Sequence, residues 1–219
     1  MALSTWARAL LPAVLVSLPA AAAPLTVSSY SMYNGATGEY DYQDFIYTPC
    51  NSVCDVTSAF LSGGTGKLTD GDSPALSWYE YGWSTPYVGW YSGYTGGSNP
   101  TITFDFADTV TVDSVTVWVD NSDGYGGVGL PGSVSIDGQN FTIAPDSDPD
   151  PRGYTFAVSP ITADSVDLQF FQGDYPWIMV GEVSFDGAGG AATPEPAAWA
   201  LMACGVACMW LRRRTSLQK

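Results

Sequence analysis

The chain has 219 residues and a formal net charge of −15, with 22 acidic residues, 7 basic residues and no histidine. The basic residues concentrate near the two ends, so only Lys67 and Arg152 accompany 21 of the 22 acidic residues in the central part of the chain. Such a chain cannot neutralise phosphates, which excludes nucleic acid and anionic lipid as partners. The lack of histidine excludes Ser-His-Asp and Cys-His catalytic sites and His-ligated metal sites.

The N-terminal segment predicts a secretory signal peptide over residues 1–22. A positive charge at Arg8 precedes an apolar run over 9–18, and Ala20 and Ala22 satisfy the small-x-small rule for cleavage. Cleavage after Ala22 avoids placing Pro24 directly after the cut. We therefore expect the body of the protein to be exported, with a retained transmembrane helix as the alternative.

Cys50 and Cys54, in the stretch PCNSVC, would meet an oxidising compartment in an exported protein. They could close a five-residue disulfide loop, with two free thiols as the alternative. Cys204 and Cys208 lie in the apolar C-terminal segment, and we interpret them as small apolar residues.

Short alternating stretches separated by turn signals predict an all-β fold. The stretch TITFDF over 101–106 alternates cleanly, whereas the apolar phase of VTVDSVTVWVD changes at Asp113–Ser114, which predicts a turn or bulge there. The stretch SVSIDGQNFTI predicts a hairpin that turns at Asp137–Gly138. Further strands are expected in GYTFAVS, DSVDLQFF and WIMVGEVSF, and this spacing favours a sandwich or jelly roll.

The C-terminal segment combines three features in order: Pro194-Glu195-Pro196, an uncharged run over 197–211, and the arginines Arg212, Arg213 and Arg214. The uncharged run is short for a hydrocarbon core of roughly 30 Å, which indicates a marginal anchor with its arginines on the cytoplasmic side. This order resembles the PEP-CTERM sorting signal of Gram-negative bacteria. The resemblance implies an exosortase-type processing enzyme as partner, transient anchoring in the inner membrane, and release to the cell surface or extracellular matrix. An ordinary tail anchor is the alternative.

These features divide the chain into five parts. They are the signal peptide 1–22, a β-sandwich domain 23–186, a flexible linker 187–193, the sorting signal with its transmembrane helix 194–214, and a cytoplasmic tail 215–219. The tract around the linker is rich in glycine and alanine, which favours a flexible spacer.

An ordered set of motifs runs from about Lys67 to Phe185. It consists of the Asp-Gly turn and tryptophan of LTDGDSPALSW, the strand segment PTITFDFADTVTVDSVTVWVD, the hairpin VSIDGQNFT, and a late acidic residue in PWIMVGEVSF. This order resembles the discoidin, or galactose-binding-like, β-sandwich family and implies a jelly-roll sandwich.

The same resemblance implies a structural calcium ion. In that family the Asp-Gly turn often helps hold calcium, and the ligands carried over by position are Asp70, Asp72, Ser77 and Glu182. Calcium takes six to eight oxygen ligands, and two carboxylates two residues apart on a tight turn converge on one point. The alternative is a solvated turn, with Glu182 as a surface residue.

Eight aromatic residues crowd the stretch WYEYGWSTPYVGWYSGY over 78–94. Sugar faces stack on tryptophan and tyrosine, whose polar edges also bind hydroxyl groups. We expect Trp78, Trp90 and several of the tyrosines to pack in the core. The predicted exposed glycan platform consists of Trp83 and Tyr87 with Tyr125 or Tyr175, and Asp120 or Asp123 would orient the sugar hydroxyls.

The sequence therefore predicts an exported, non-catalytic module that binds neutral or calcium-bridged extracellular polysaccharide. The first alternative is a structural matrix protein that self-associates and has no defined ligand pocket. The second is a secreted glycoside hydrolase, which requires two convergent carboxylates in a cleft. An exposed aromatic cleft favours binding, whereas buried aromatics under a flat acidic surface favour the structural role.

Overall fold

The computed structural model describes residues 22–50, 52–145 and 150–189. The sorting motif, its transmembrane helix and the signal peptide before Ala22 are predictions that lie outside the described residues. Among the residues that are described, no helix is both long and apolar enough to cross a bilayer.

The described part of the chain is built from nine strands, which confirms the prediction of an all-β protein. The strands are β1 Ala23–Leu25, β2 Val27–Tyr33, β3 Phe60–Gly64, β4 Val88–Tyr91, β5 Thr101–Val119, β6 Ser133–Ile136, β7 Gln139–Thr142, β8 Arg152–Phe171 and β9 Trp177–Ala188. One short α-helix, α1, spans Trp78–Tyr81, and 3-10 turns lie at Lys67–Thr69, Gly82–Ser84 and Tyr125–Gly127.

The long strands β5 and β8 each pass through both layers of a sandwich. Residues 101–106 of β5 pair with β2 and with the C-terminal half of β8, whereas residues 111–119 pair with β9 and with the N-terminal half of β8. The pairing with β8 is interrupted between Asp105 and Val110. Phe104 of β5 and Phe185 of β9 lie with ring centroids 5.1 Å apart, so the two halves of the sheet face each other across the core.

The remaining strands complete the two layers at their edges. In the first layer β3 pairs with β2, and the hairpin of β6 and β7 pairs with β8 through β6. In the second layer β1 and β4 both pair with β9.

The predicted irregularity at Asp113–Ser114 is confirmed. The register of β5 shifts between Val112 and Ser114 in its pairing with both β8 and β9. Because side chains alternate between the faces of a strand, this shift lets Val112 and Val115 both point into the core. The two stretches that flank the shift form one continuous strand, and GYTFAVS and DSVDLQFF likewise join in β8.

The predicted hairpin is also confirmed. Strands β6 and β7 are joined by Asp137 and Gly138, which have φ angles of 47° and 80°. Positive φ at both central residues is typical of the two-residue turn that Asp-Gly favours. Strand β9 extends to Ala188, so it includes Gly187 and Ala188, which the sequence assigns to the linker.

The segment before Lys67, for which the sequence gives no role, supplies β2, β3 and a long loop between them. The predicted disulfide between Cys50 and Cys54 is confirmed and closes part of this loop, with Cα atoms 5.3 Å apart. Asn34, at the end of β2, donates a hydrogen bond from Nδ2 to the carbonyl oxygen of Cys54 at 2.9 Å. The loop is therefore fastened to the sandwich through the disulfide segment.

Candidate functional site

A cleft of about 450 Å³ opens beside Trp83, and we call it the Trp83 cleft. Its lining residues are Asp41, Gln43, Phe45, Asp55 and Trp83. The Trp83 side chain is 67% exposed and that of Phe45 is 41% exposed, so both rings present apolar surface to solvent. Exposed aromatic rings beside polar groups in a concave surface are typical of small-ligand sites.

Local backbone chemistry positions Trp83. Helix α1 begins at Ser77, which forms a capping box with Glu80, and the Ser77 N–H donates to Glu80 Oε2 at 3.1 Å. The helix ends at Gly82, whose φ of 57° few other residues tolerate. The following 3-10 turn carries Trp83 outward, where its ring meets the ring of Tyr40 at 5.3 Å.

The loop between β2 and β3 forms the other wall of the Trp83 cleft. Gln43 is 3% exposed, and its Nε2 donates to the hydroxyl groups of Thr37 and Thr57 at 2.7 and 3.1 Å. Both hydrogens of the Gln43 Nε2 group therefore have partners inside the loop. Asp55 is exposed and directly follows the disulfide, whereas Asp41 is half-buried.

A buried polar network lies beneath this wall. The ammonium group of Lys67 donates to the carbonyl oxygens of Gln43 and Tyr87 at 2.8 and 3.1 Å and lies 4.0 Å from the centroid of the Phe45 ring. Burial lowers the pKa of Lys67 to about 8. Asp44 is fully buried, accepts hydrogen bonds from the Tyr30 hydroxyl and the Lys67 N–H, and has its pKa raised by burial. This network fixes the backbone on which Gln43 and Phe45 stand.

A second, smaller cleft of about 190 Å³ contains Tyr175, and we call it the Tyr175 cleft. Its polar and aromatic lining residues are Asn121, Asp123, Asp174 and Tyr175. The Tyr175 ring packs across Gly124 and Gly129, where a Cβ atom would lie 2.3 and 2.2 Å from the ring. Glycine is therefore required at both positions for the ring to take this place.

A chain of ring contacts through Tyr40, Trp78, Tyr79 and Tyr125 leads to Trp83. Tyr125 is 62% exposed and lies 4.7 Å from Tyr79 and 6.1 Å from Trp78, between ring centroids. Trp78 is 6.0 Å from Tyr40, which in turn contacts Trp83. The aromatic residues predicted to form one platform do not share a cleft: Trp83 and Tyr175 line different clefts, and the exposed Tyr125 lines neither.

The prediction that Tyr87 and Asp120 contact a ligand is wrong, because both side chains are fully buried. Tyr87 donates its hydroxyl to the carbonyl oxygen of Leu76 at 2.8 Å, inside the core. Asp120 accepts the Trp78 N–H at 2.6 Å and the Ser122 hydroxyl, and burial raises its pKa to about 6. Asp120 thus holds the start of α1, while Asp123 is exposed in the Tyr175 cleft as expected. Trp78 and Trp90 are buried, as predicted.

The predicted calcium ligands are brought together only in part. Glu182 is buried rather than on the surface, and its Oε2 accepts the Gly71 N–H at 3.2 Å, while Asp70 Oδ1 accepts the Asp72 N–H at 2.9 Å. Burial, reinforced by the charges of Asp70 and Asp72, raises the pKa of Glu182 to about 7. Ser77 is occupied in the capping box of α1. Within the described ranges, no three acidic or cysteine side chains form a group that could hold a metal ion.

The residues that form the loop wall of the Trp83 cleft were not predicted from the sequence. Asp41, Gln43 and Phe45 lie in the stretch YDYQDF, which mixes aromatic and polar residues in the manner of a sugar-contacting segment. The Ser-x-x-Glu spacing of Ser77 and Glu80 could have predicted the capping box. The capping box gives Ser77 a structural role that requires no metal ion.

No protein-family model matches the chain, and no curated protein matches it. Among solved structures, the CBM32 of AlyQ in complex with 4,5-unsaturated mannuronic acid is 18% identical, with a TM-score of 0.35 over 54% of this chain and 82% of that chain. A pectin-binding carbohydrate-binding module is 14% identical, with a TM-score of 0.31 over 58% of this chain and 80% of that chain. An F5/8 type C domain from Bacteroides fragilis is 15% identical, with a TM-score of 0.37 over 56% of this chain and 79% of that chain. Similarity at this level does not establish a family for this chain.

Proposed function

We propose that this protein is a non-catalytic carbohydrate-binding module that holds extracellular polysaccharide in the Trp83 cleft. The observation that carries the proposal is the largely exposed indole of Trp83 in one cleft with the carboxylates of Asp41 and Asp55. A sugar ring can stack its apolar face on the indole while its hydroxyl groups donate to these oxygens. The Tyr175 cleft and the exposed Tyr125 could contact further units of a long polymer.

The exposed aromatic cleft favours binding over a purely structural matrix role. Trp83 and Tyr125 are both more than half exposed. Exposing large aromatic rings to water costs free energy that burial in the core would avoid, so a role in ligand contact explains their exposure. Trp83 in addition lines a concave surface with polar groups, which is the arrangement expected of a binding module.

The test is calorimetric titration of the full-length protein and its Trp83→Ala variant with a panel of polysaccharides. We expect the variant to lose at least about tenfold in affinity, equivalent to about 1.4 kcal/mol. Tyr94→Ala is the matched control, because Tyr94 is also largely exposed but lines neither cleft. Equal affinity of Trp83→Ala and the parent protein for every glycan that binds would refute this site.

A carboxylate-dependent glycoside hydrolase is the second candidate, because Asp41 and Asp55 both line the Trp83 cleft. A general acid of this kind is usually placed in apolar surroundings, whereas Asp55 is exposed to solvent. Incubation with each bound polysaccharide, followed by an assay for new reducing ends, separates the two candidates. Product release that Asp55→Asn abolishes would establish the hydrolase.

Calcium is a further part of the proposal, as a structural ion at the turn of Asp70 and Asp72 near Glu182. The support is the buried Glu182 carboxylate beside two more carboxylates, an arrangement whose repulsion a cation relieves. Binding requires the Asp70 and Asp72 side chains to turn toward Glu182. A calcium-dependent rise in melting temperature that Glu182→Gln abolishes would support the ion, and no shift on adding calcium or chelator would exclude it.

Export and sorting complete the proposal and rest on the sequence alone. A signal peptide ending at Ala22 and a PEP-CTERM tail from Pro194 to Arg214 would deliver the domain to the cell surface or matrix through an exosortase-type enzyme. Mass spectrometry of the secreted protein tests both cuts. Recovery of a full-length C-terminus from the extracellular fraction would contradict processing of the tail.

A further inference from the structure

We propose that the Trp83 cleft selects glycans that carry a free amino group over N-acetylated, neutral and acidic glycans. This inference rests on the proposed function, because it assigns a ligand class to the same site. It follows from two observations: the cleft is lined by carboxylate groups, and the nearby ammonium group of Lys67 is buried.

Apart from the indole N–H of Trp83, the described side chains that line the cleft offer hydrogen-bond acceptors to a ligand. Asp41 and Asp55 present carboxylates, which accept hydrogen bonds and cannot donate when ionised. Gln43 uses its Nε2 group for Thr37 and Thr57, so it brings no free N–H donor to the cleft. A ligand that fits this lining must bring the donors.

The nearest cation does not offset this acceptor character. The Lys67 ammonium group lies beneath Phe45 and donates to two backbone carbonyl oxygens, and the whole side chain is only 3% exposed. Because it is buried, it cannot reach a carboxylate or sulfate group of a ligand in the cleft. An anionic sugar would meet Asp41 and Asp55 without a partner charge, and like charges in one cleft repel.

An ammonium group satisfies the cleft better than a hydroxyl or an acetamide does. It brings three donors and a positive charge, and hydrogen bonds between charged partners are roughly twice as strong as those between neutral ones. The exposed face of Trp83 also attracts a cation through its ring electrons. An acetamide at the same position keeps a single N–H donor and no charge.

Short oligosaccharides give the sharpest test, because a polycation would be attracted by the net charge of −15 wherever it landed. The probes are the trimers of glucosamine and of N-acetylglucosamine and a trimer of galacturonic acid, titrated into the full-length protein at about 0.15 M salt. We expect the glucosamine trimer to bind about tenfold more tightly than its N-acetylated counterpart, and the galacturonic acid trimer not to bind.

Two single-charge variants assign the preference to the cleft. Asp55→Asn keeps the shape of an exposed side chain and removes its charge, and we expect it to reduce the preference for the glucosamine trimer about threefold or more. Asp108→Asn removes an exposed charge on β5, outside the cleft, and is expected to leave the preference unchanged. Unchanged melting temperatures show that both variants fold.

The outcomes separate this inference from the proposed function. Equal binding of the two glucosamine-based trimers, or tighter binding of galacturonic acid, overturns the amino-sugar preference while the Trp83-dependent site stands. An equal loss of preference in Asp55→Asn and Asp108→Asn shows general charge attraction and also overturns it. If no glycan in the wider panel binds in a Trp83-dependent way, the proposed function itself fails.

Discussion

Asp120 and Asp123 are three residues apart in one loop and have opposite environments. Asp120 is fully buried and accepts hydrogen bonds from the Trp78 N–H and the Ser122 hydroxyl, whereas Asp123 is exposed in the Tyr175 cleft. An acidic residue in a loop can therefore hold the protein together or face a ligand, and only its surroundings distinguish the two roles.

We predict that Asp120→Ala lowers the free energy of unfolding by about 2 kcal/mol. The substitution leaves the buried backbone N–H of Trp78 without its acceptor. Urea denaturation measures the change. Asp123→Asn, the control, keeps a residue type that tolerates the φ of 46° at this position and is expected to change the free energy of unfolding by less than about 0.5 kcal/mol. Similar losses in both variants would contradict the assigned role of Asp120.

Residue-level roles were only partly readable from the sequence. The burial of Trp78 and Trp90 and the exposure of Trp83 followed from the excess of aromatics in one short stretch. The burial of Tyr87 did not, because the backbone that surrounds it, including Leu76 whose carbonyl it binds, is assembled by tertiary contacts. Asp55 carried no local signal, and its place in one cleft with Gln43 depends on how the loop before β3 folds onto the sandwich.

Among the elements, the loop between β2 and β3 depends on the Cys50–Cys54 disulfide for its shape. Asp55 directly follows this disulfide, and Cys54 is also held by Asn34. The disulfide thus fixes one wall of the Trp83 cleft to the end of β2.

Replacing both Cys50 and Cys54 by serine is expected to lower the free energy of unfolding by about 2 kcal/mol, from the loop-closure entropy of five residues. Glycan affinity should fall as well, because the wall that carries Asp55 loses its constraint. Denaturation and titration of the same double variant check the two effects. Full affinity in the double-serine variant would show that the loop holds its shape without the disulfide.

Element prediction succeeded where the pattern was local. Alternation identified the segments of β5, β8 and β9, the phase change located the shift at Ser114, and Asp-Gly identified the hairpin. The sequence did not predict that separate segments join into the long strands β5 and β8, of 19 and 20 residues. Side-chain alternation changes phase where the sheet bends, so it does not show whether the strand continues.

For the molecule as a whole, buried carboxyl groups govern how stability depends on pH. Burial raises the pKa of Glu182 to about 7 and that of Asp120 to about 6, and it also raises the pKa of Asp44. In the unfolded chain these groups lose their protons near pH 4. Between about pH 4 and 7 the folded protein therefore binds more protons than the unfolded chain does.

Since the folded state binds more protons in this window, raising the pH lowers the free energy of unfolding. We expect a higher urea midpoint at pH 5 than at pH 8, measured in chelator. Glu182→Gln should reduce the difference, because it removes the group with the highest of these pKa values. Stability that rises with pH, or a slope that is unchanged in Glu182→Gln, would contradict the prediction.

Strand β9 connects two opposite ends of the molecule. It begins at Trp177, whose ring lies 5.3 Å from that of Tyr42, next to Asp41 and Gln43 of the Trp83 cleft, and it ends at Ala188. Its 12 residues span about 35–40 Å at roughly 3.3 Å per residue. In the proposed arrangement, a polymer bound at the cleft and a chain held beyond Ala188 would load the sheet along β9. The hydrogen bonds of β9 to β1, β4 and β5 would then be sheared together, which resists extension better than bonds opened one at a time.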